Sequence, residues 1–191
     1  MPEYLPGRTK TVNLRNLKHG FTMTKMMRIG IFCAACLIFI GCDRAAKAIA
    51  KEQLPGDQTL SYFHDVLRLE YTENTGAALG LGDSLSRGQS FWLLSILPLC
   101  VLAILFVYVV RRSATMGWPR LLALALILAG GLGNIADRLL NDRHVTDFLN
   151  IGIGPLRTAI FNFADLYITV GVLLLLAGYK KTGPGTGSEV I

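Results

Sequence analysis

The side chains able to do chemistry in this chain are the charged and amide groups that interrupt its apolar stretches. Asp43 follows IFIGC, the group Asn134, Asp137 and Arg138 falls in GGLGNIADRLL, and Asn162 with Asp165 opens FNFADLYITVGVLLLL. An ionisable group inside a membrane segment costs about 2.5–3.5 kcal/mol on insertion scales, so each is a functional candidate by default. Asn134, Asp137 and Arg138 stand at i, i+3 and i+4, and Asn162 and Asp165 repeat the i, i+3 spacing, so each group occupies one helix face. Asp147, in the connecting VTDF, falls between them. Two carboxylates brought close together cannot both ionise cheaply, so the pair shares a proton and supplies an acid and a base. Structural readings compete at two of these positions. Asp137 and Arg138 could form an interfacial salt bridge that ends a helix, and Asp147 alone could be an exposed loop acid. At Asp165 the apolar sequence continues to Tyr179, which argues against a purely structural role.

The elements that must position these groups are apolar. The chain has 191 residues, 52% of them hydrophobic and 17% charged, with mean hydropathy +0.46, a composition outside the soluble range. Four stretches, 26–43, 91–110, 119–138 and 159–179, approach the roughly 20 apolar residues a bilayer core requires. The fold expected is therefore a mainly α membrane protein of four transmembrane helices. In the external loop 44–90, SYFHDVLRLEYTEN alternates Val66, Arg68 and Glu70 with Leu67, Leu69 and Tyr71, which predicts strand. RHVTDFLNIGI, 143–153, has the content to join it, giving a small extracytoplasmic β-sheet beside the bundle. Basic residues gather at the two ends and around 111–120, with Glu3 and Glu189 as the only acids there. By the positive-inside rule both termini are expected on the cytoplasmic side, with the polar cluster near the outer surface of a bacterial inner membrane. The net charge of +6 is then a topology signal and no footprint for nucleic acid. Residues 1–25 read as a flexible basic arm with Met23, Met26 and Met27 as alternative starts, 26–180 as the membrane domain, and 181–191 as a flexible Gly-rich tail.

Several motifs have simpler readings. Phe39-Ile40-Gly41-Cys42 imitates a lipid-attachment site, but three further spans make a retained helix the better reading. Cys33-Ala-Ala-Cys36 on an apolar helix reads as small buried hydrophobes. His19, His64 and His144 lack metal-ligand spacing, so neither metal nor cofactor is expected. Gly80-Leu81-Gly82-Asp83 matches an intramembrane aspartyl protease motif, yet lies in a Gly- and Ser-rich loop. Ser84 after it has no intramembrane histidine as base.

The ordered set CDRAAK (42–47), ENTGAALGL (73–81), GGLGNIADRL (130–139), VTDF (145–148) and FNFADLYITVG (161–171) resembles the signal peptidase II family over roughly residues 26–180. The resemblance implies an aspartyl endopeptidase that cleaves lipid-modified prolipoproteins before the diacylglyceryl cysteine. It implies Asp147 and Asp165 as the catalytic pair, and not Asp137. It maps substrate-site or supporting roles onto Asp43, Lys47, Asn74, Asn134, Asp137, Arg138 and Asn162. Prolipoproteins and membrane lipids are the implied partners, and globomycin-type lipopeptides the implied inhibitors. The competing class is a small transporter or assembly factor using Asp165 and Arg138 as an intramembrane charge pair.

Overall fold

The computed structural model describes residues 24–54, 56, 58–76 and 85–179. The Gly80–Asp83 motif and nearly all of the basic arm and tail expected from the sequence lie outside the described residues.

Helix α1, Lys25–Gln53, is capped by Thr24, whose hydroxyl accepts from Met27 N at 3.3 Å. It does not stop where the apolar run ends at Asp43. The alanine-rich AAKAIAK that follows is strongly helix-forming, and the i, i+4 pair Asp43–Lys47 ties two turns together. The next helix starts at a capping box between Ser86 and Gln89. It runs without a break through α2, Arg87–Phe91, a π-helical turn at Trp92–Ile96, and α3, Leu97–Arg112. Helix α4 is Trp118–Leu140 and α5 is Phe163–Tyr179.

Three of these helical stretches, 25–53, 87–115 and 118–140, are long and apolar enough to cross a membrane. The fourth, α5, is a shorter apolar helix of 17 residues, at the low end of what spans a bilayer. It starts later than the apolar stretch from 159 because Phe161 is drawn into the sheet, exchanging backbone hydrogen bonds of 2.8 Å in both directions with Leu149.

Helix α4 sits centrally, against α1, α3 and α5. Glycines make the α4–α5 approach possible: a Cβ on Gly130 would lie 2.3 Å from the Ala164 carbonyl oxygen, and one on Gly171 would lie 2.7 Å from that of Ala123. Such small residues let membrane helices meet at backbone distance. Phe32, Cys36, Leu102, Leu121, Leu124 and Leu128 fill the core between α1, α3 and α4. Of the cysteine pair read as buried hydrophobes, Cys36 is buried and Cys33 only half-buried, while Cys42 and Cys100 are exposed; all four are free thiols.

Strands β1, Thr59–Tyr62, β2, Leu67–Asn74, β3, Val145–Ile153, and β4, Leu156–Arg157, form one antiparallel sheet in that order. Leu69, Leu149 and Phe163 pack with Ala50, Leu54 and Phe148, fastening the sheet to α1 and α5. The β1–β2 turn carries Phe63, His64 and Asp65 in left-handed conformation. Arg68 holds it by donating to the Asp65 carboxylate at 2.7 and 2.6 Å, and Arg157 donates to the Asp65 carbonyl at 2.8 Å. The hydrogen bonds from Arg68 and then Ser61 keep the Asp65 carboxyl well below the usual carboxylate range.

One irregularity in the sheet matters for the site. Leu69 pairs with Leu149, but Thr72 pairs with Asp147 and Asn74 with Val145, so β2 carries one extra residue between Leu69 and Thr72. An unbroken register would set Tyr71 opposite Asp147 and turn Asn74 to the other face, because sheet faces alternate with period 2.

Candidate active site

The polar residues singled out in the sequence meet at the sheet end of the bundle. Asn162 stands just before α5 and forms a reciprocal cap with Asp165. Its side-chain oxygen accepts from Asp165 N at 3.0 Å, and its own backbone N–H donates to Asp165 Oδ2 at 3.2 Å. The spacing i, i+3 read from the sequence is thus a helix start as well as a shared face. The other Asp165 oxygen accepts from Asn134 Nδ2 of α4 at 2.8 Å. Asn162 Nδ2 reaches Asp147 Oδ1 at 2.6 Å and Asn134 Oδ1 at 3.2 Å. Asn74, turned inward by the extra residue in β2, donates to Asp147 Oδ2 at 3.2 Å. One linked pair of amides therefore orients both carboxylates, which come from a strand and a helix.

Asp147 and Asn162 are buried, at 3% and 0% exposure. Burial pushes the Asp147 carboxyl up to about 6, with the Asp165 charge adding to it, while hydrogen bonds from Asn74 and Asn162 and the charge of Lys47 oppose the shift. It is therefore no ordinary exposed loop acid.

Below this pair lies a second charged layer. Lys47 Nζ is 2.8 Å from Asp43 Oδ2 and 2.7 Å from Asp137 Oδ2, and donates to Asn134 Oδ1 at 3.2 Å. Because an ammonium only donates, it fixes the Asn134 amide with its oxygen toward Lys47 and its NH2 toward Asp165. Asp43 Oδ1 accepts from Ala164 N at 2.9 Å at the start of α5. Asp137, fully buried, also pairs with Arg44.

Arg138 forms neither of the two ion pairs that the sequence offered for it. It makes no salt bridge with Asp137, whose partners are on α1, because the two side chains leave α4 in directions that reach different neighbours. Among the described residues no ion pair joins it to Asp165 either, so the charge pair required of a transporter is not formed. Arg138 donates to the backbone carbonyls of Gly76 at 2.8 Å and Asn134 at 3.4 Å, fastening the chain after β2 over the site.

Sequence reasoning missed Arg44, Ala164 and Gly133. Arg44 lay one residue from a named candidate. Ala164 acts through its backbone N–H, which leaves no residue-type signal. Gly133 leaves room for Asp43, since a Cβ there would stand 2.9 Å from the carboxylate. Among the described residues no group of three or more His, Cys, Asp or Glu side chains is placed to hold a metal ion.

These features define a helical membrane protein with a paired-carboxylate site at one end of its bundle. The family model described as signal peptidase (SPase) II matches residues 35–180. A lipoprotein signal peptidase of Borrelia hermsii is 32% identical over 145 residues, covering 73% of this chain and 82% of that protein. One from Chlorobium phaeobacteroides is 36% identical over 165 residues, covering 81% and 98%. A bacterial membrane enzyme solved by the in meso method at 2.3 Å superposes with TM-score 0.70 and 29% identity over 85% of this chain and 95% of that one. The chain belongs to the signal peptidase II family, and is thereby a peptidase of the bacterial inner membrane.

Proposed function

We propose that this protein removes signal peptides from diacylglyceryl-modified prolipoproteins, cleaving on the N-terminal side of the lipidated cysteine, and that it does so as an aspartyl endopeptidase with Asp147 and Asp165 as its catalytic pair. The observation that carries the reading is the shared amide pair, Asn134 and Asn162, which holds both carboxylates at once. With one proton between them, the ionised member takes a proton from a water that attacks the scissile carbonyl. The protonated member hydrogen-bonds the carbonyl oxygen, and a proton returns to the cysteine amine as the peptide bond breaks. Asn74 and Arg138 edge the site on the sheet side, where they are suited to hold substrate backbone or the lipid ester. Both termini lie in the cytoplasm and the dyad near the outer surface, the orientation supported by the basic residues at 25, 28, 111, 112 and 120.

The test is incubation of purified protein with a lipidated prolipoprotein, read as a mass shift of the released product. Cleavage should persist in chelator and be blocked by a globomycin-type lipopeptide, whose hydroxyl would sit between Asp147 and Asp165. Loss of activity on metal removal, with indifference to the lipopeptide, would sink the aspartyl assignment.

A further inference from the structure

The charged layer under the dyad contains two fully buried carboxylates, Asp43 and Asp137, at 1% and 0% exposure, and one buried ammonium, Lys47, at 3%. Those three alone carry a net negative charge, and an unbalanced buried charge is costly in a low-dielectric interior. Arg44 completes the balance. It pairs with Asp137 Oδ1 while 39% of its side chain remains exposed, so the fourth charge comes from a guanidinium that keeps water contact. Lys47 approaches both carboxylates as a charge without an aligned hydrogen bond, leaving Asp43 Oδ2 and Asp137 Oδ2 with none. Its hydrogen bond goes instead to Asn134, the amide that orients Asp165.

We infer that Arg44 is a positioning residue for catalysis: by neutralising Asp137 it leaves Lys47 free to hold Asn134, and it keeps the layer beneath Asp147 and Asp165 electrically neutral. This rests on the dyad proposed above. The charges around the pair Arg44–Asp137 are Asp43 and Lys47 on α1 and Arg138 on α4, with Tyr71 on β2 also within reach of the Asp137 charge; Arg138 in turn feels Asp165 at the start of α5 and Asp147 on β3, and Lys47 feels Asp147. Lys47 already pulls the Asp147 carboxyl down against burial and the charge of Asp165, so charge in this layer is felt at the dyad.

The sign follows from the balance. Arg44→Gln leaves the layer at −1, which holds the shared proton of the dyad more tightly and moves the alkaline limb of the rate profile up. Asp137→Asn leaves it at +1 and moves that limb down. The double variant is neutral again and returns the limb to the wild-type position, as does Arg44→Lys.

The experiment measures kcat and KM against pH for the purified full-length wild type, Arg44→Gln, Arg44→Lys, Asp137→Asn and the double variant on a lipidated prolipoprotein. The expected displacement is about half a pH unit to one unit in opposite directions for the two charge-removing single variants. Where Arg44→Gln does not fold, the upward step from Asp137→Asn to the double variant carries the same comparison. An unmoved limb across the set, with only lower yield or thermal midpoint, overturns the inference and makes Arg44 structural. A change confined to KM overturns it in favour of substrate contact. Cleavage by an Asp147→Asn control would instead remove the dyad itself.

Discussion

Helices α3 and α4 are neighbours in sequence and both cross the membrane region, yet they divide the labour. The stretch 87–115 is the more apolar, and only 17% of its most apolar window is buried within the protein, against 61% for α4. Val101, Ile104 and Val107 face outward from α3. Helix α4 gives up apolarity to Asn134, Asp137 and Arg138 and gives up side-chain bulk to Gly130 and Gly133. In a bilayer, where lipid solvates leucine as well as protein does, hydropathy marks the helix that faces lipid. Polar and small residues mark the helix around which the others assemble.

The strongest way to break this contrast is at the dyad that α4 supports. Asp147→Asn and Asp165→Asn should each reduce cleavage by about a hundredfold to ten-thousandfold while the protein still inserts and purifies, as a gel assay on lipidated substrate would read. Next is the glycine approach. Gly130→Ala should lower stability in detergent by about 1–3 kcal/mol, because its Cβ would meet the Ala164 carbonyl oxygen, and activity should fall with it since Asp165 follows Ala164. Gly30→Ala on α1, where a Cβ meets nothing within 4 Å, should be neutral or gain up to about 1 kcal/mol from helix propensity. Thermal unfolding of the two variants side by side decides the matter.

A smaller effect is expected from pH. The folded-state value of Asp147, about 6, lies above its ordinary 3.8, so the folded protein binds this proton more tightly than the unfolded chain. Its stabilising contribution is complete below the ordinary value and is lost as pH rises through about 6. The thermal midpoint of wild type should therefore fall between pH 4 and pH 7 by more than that of Asp147→Asn. An equal fall in both would show that burial does not shift this group. Smallest of all, Ile104→Ala on the outward face of α3 should change stability by no more than about 0.5 kcal/mol, and Cys42→Ala should leave mass, membrane location and activity unchanged apart from the substitution.

Much of this was legible before the fold. The apolar stretches place the helices, the i, i+3 spacings find Asn134 and Asn162 on the faces that meet, and the alternation around Leu67–Tyr71 gives β2. Helix ends were less legible. The charged AAKAIAK after Asp43 reads as exit from the bilayer, but leaving the bilayer does not end a helix whose propensity is high. Pairings across elements were hidden altogether: Arg44 with Asp137, and Asp43 with the Ala164 N–H, join residues far apart in sequence, one of them through backbone. The π-helical turn at Trp92–Ile96 also left no periodicity that separates it from ordinary helix.

The extra residue in β2 acts as a phase shift, and its importance lies in a count rather than in an identity. No side chain at Glu70 or Tyr71 needs to be special for Asn74 to face Asp147; the strand only needs the right number of residues before it. A library of substitutions across 69–72 would pass over this dependence almost silently. Inserting one further residue there, with the pairing of Leu67–Leu69 and the single extra residue both kept, would bring Glu73 opposite Val145 where the amide now stands, and restoring the length elsewhere in the loop would not repair it.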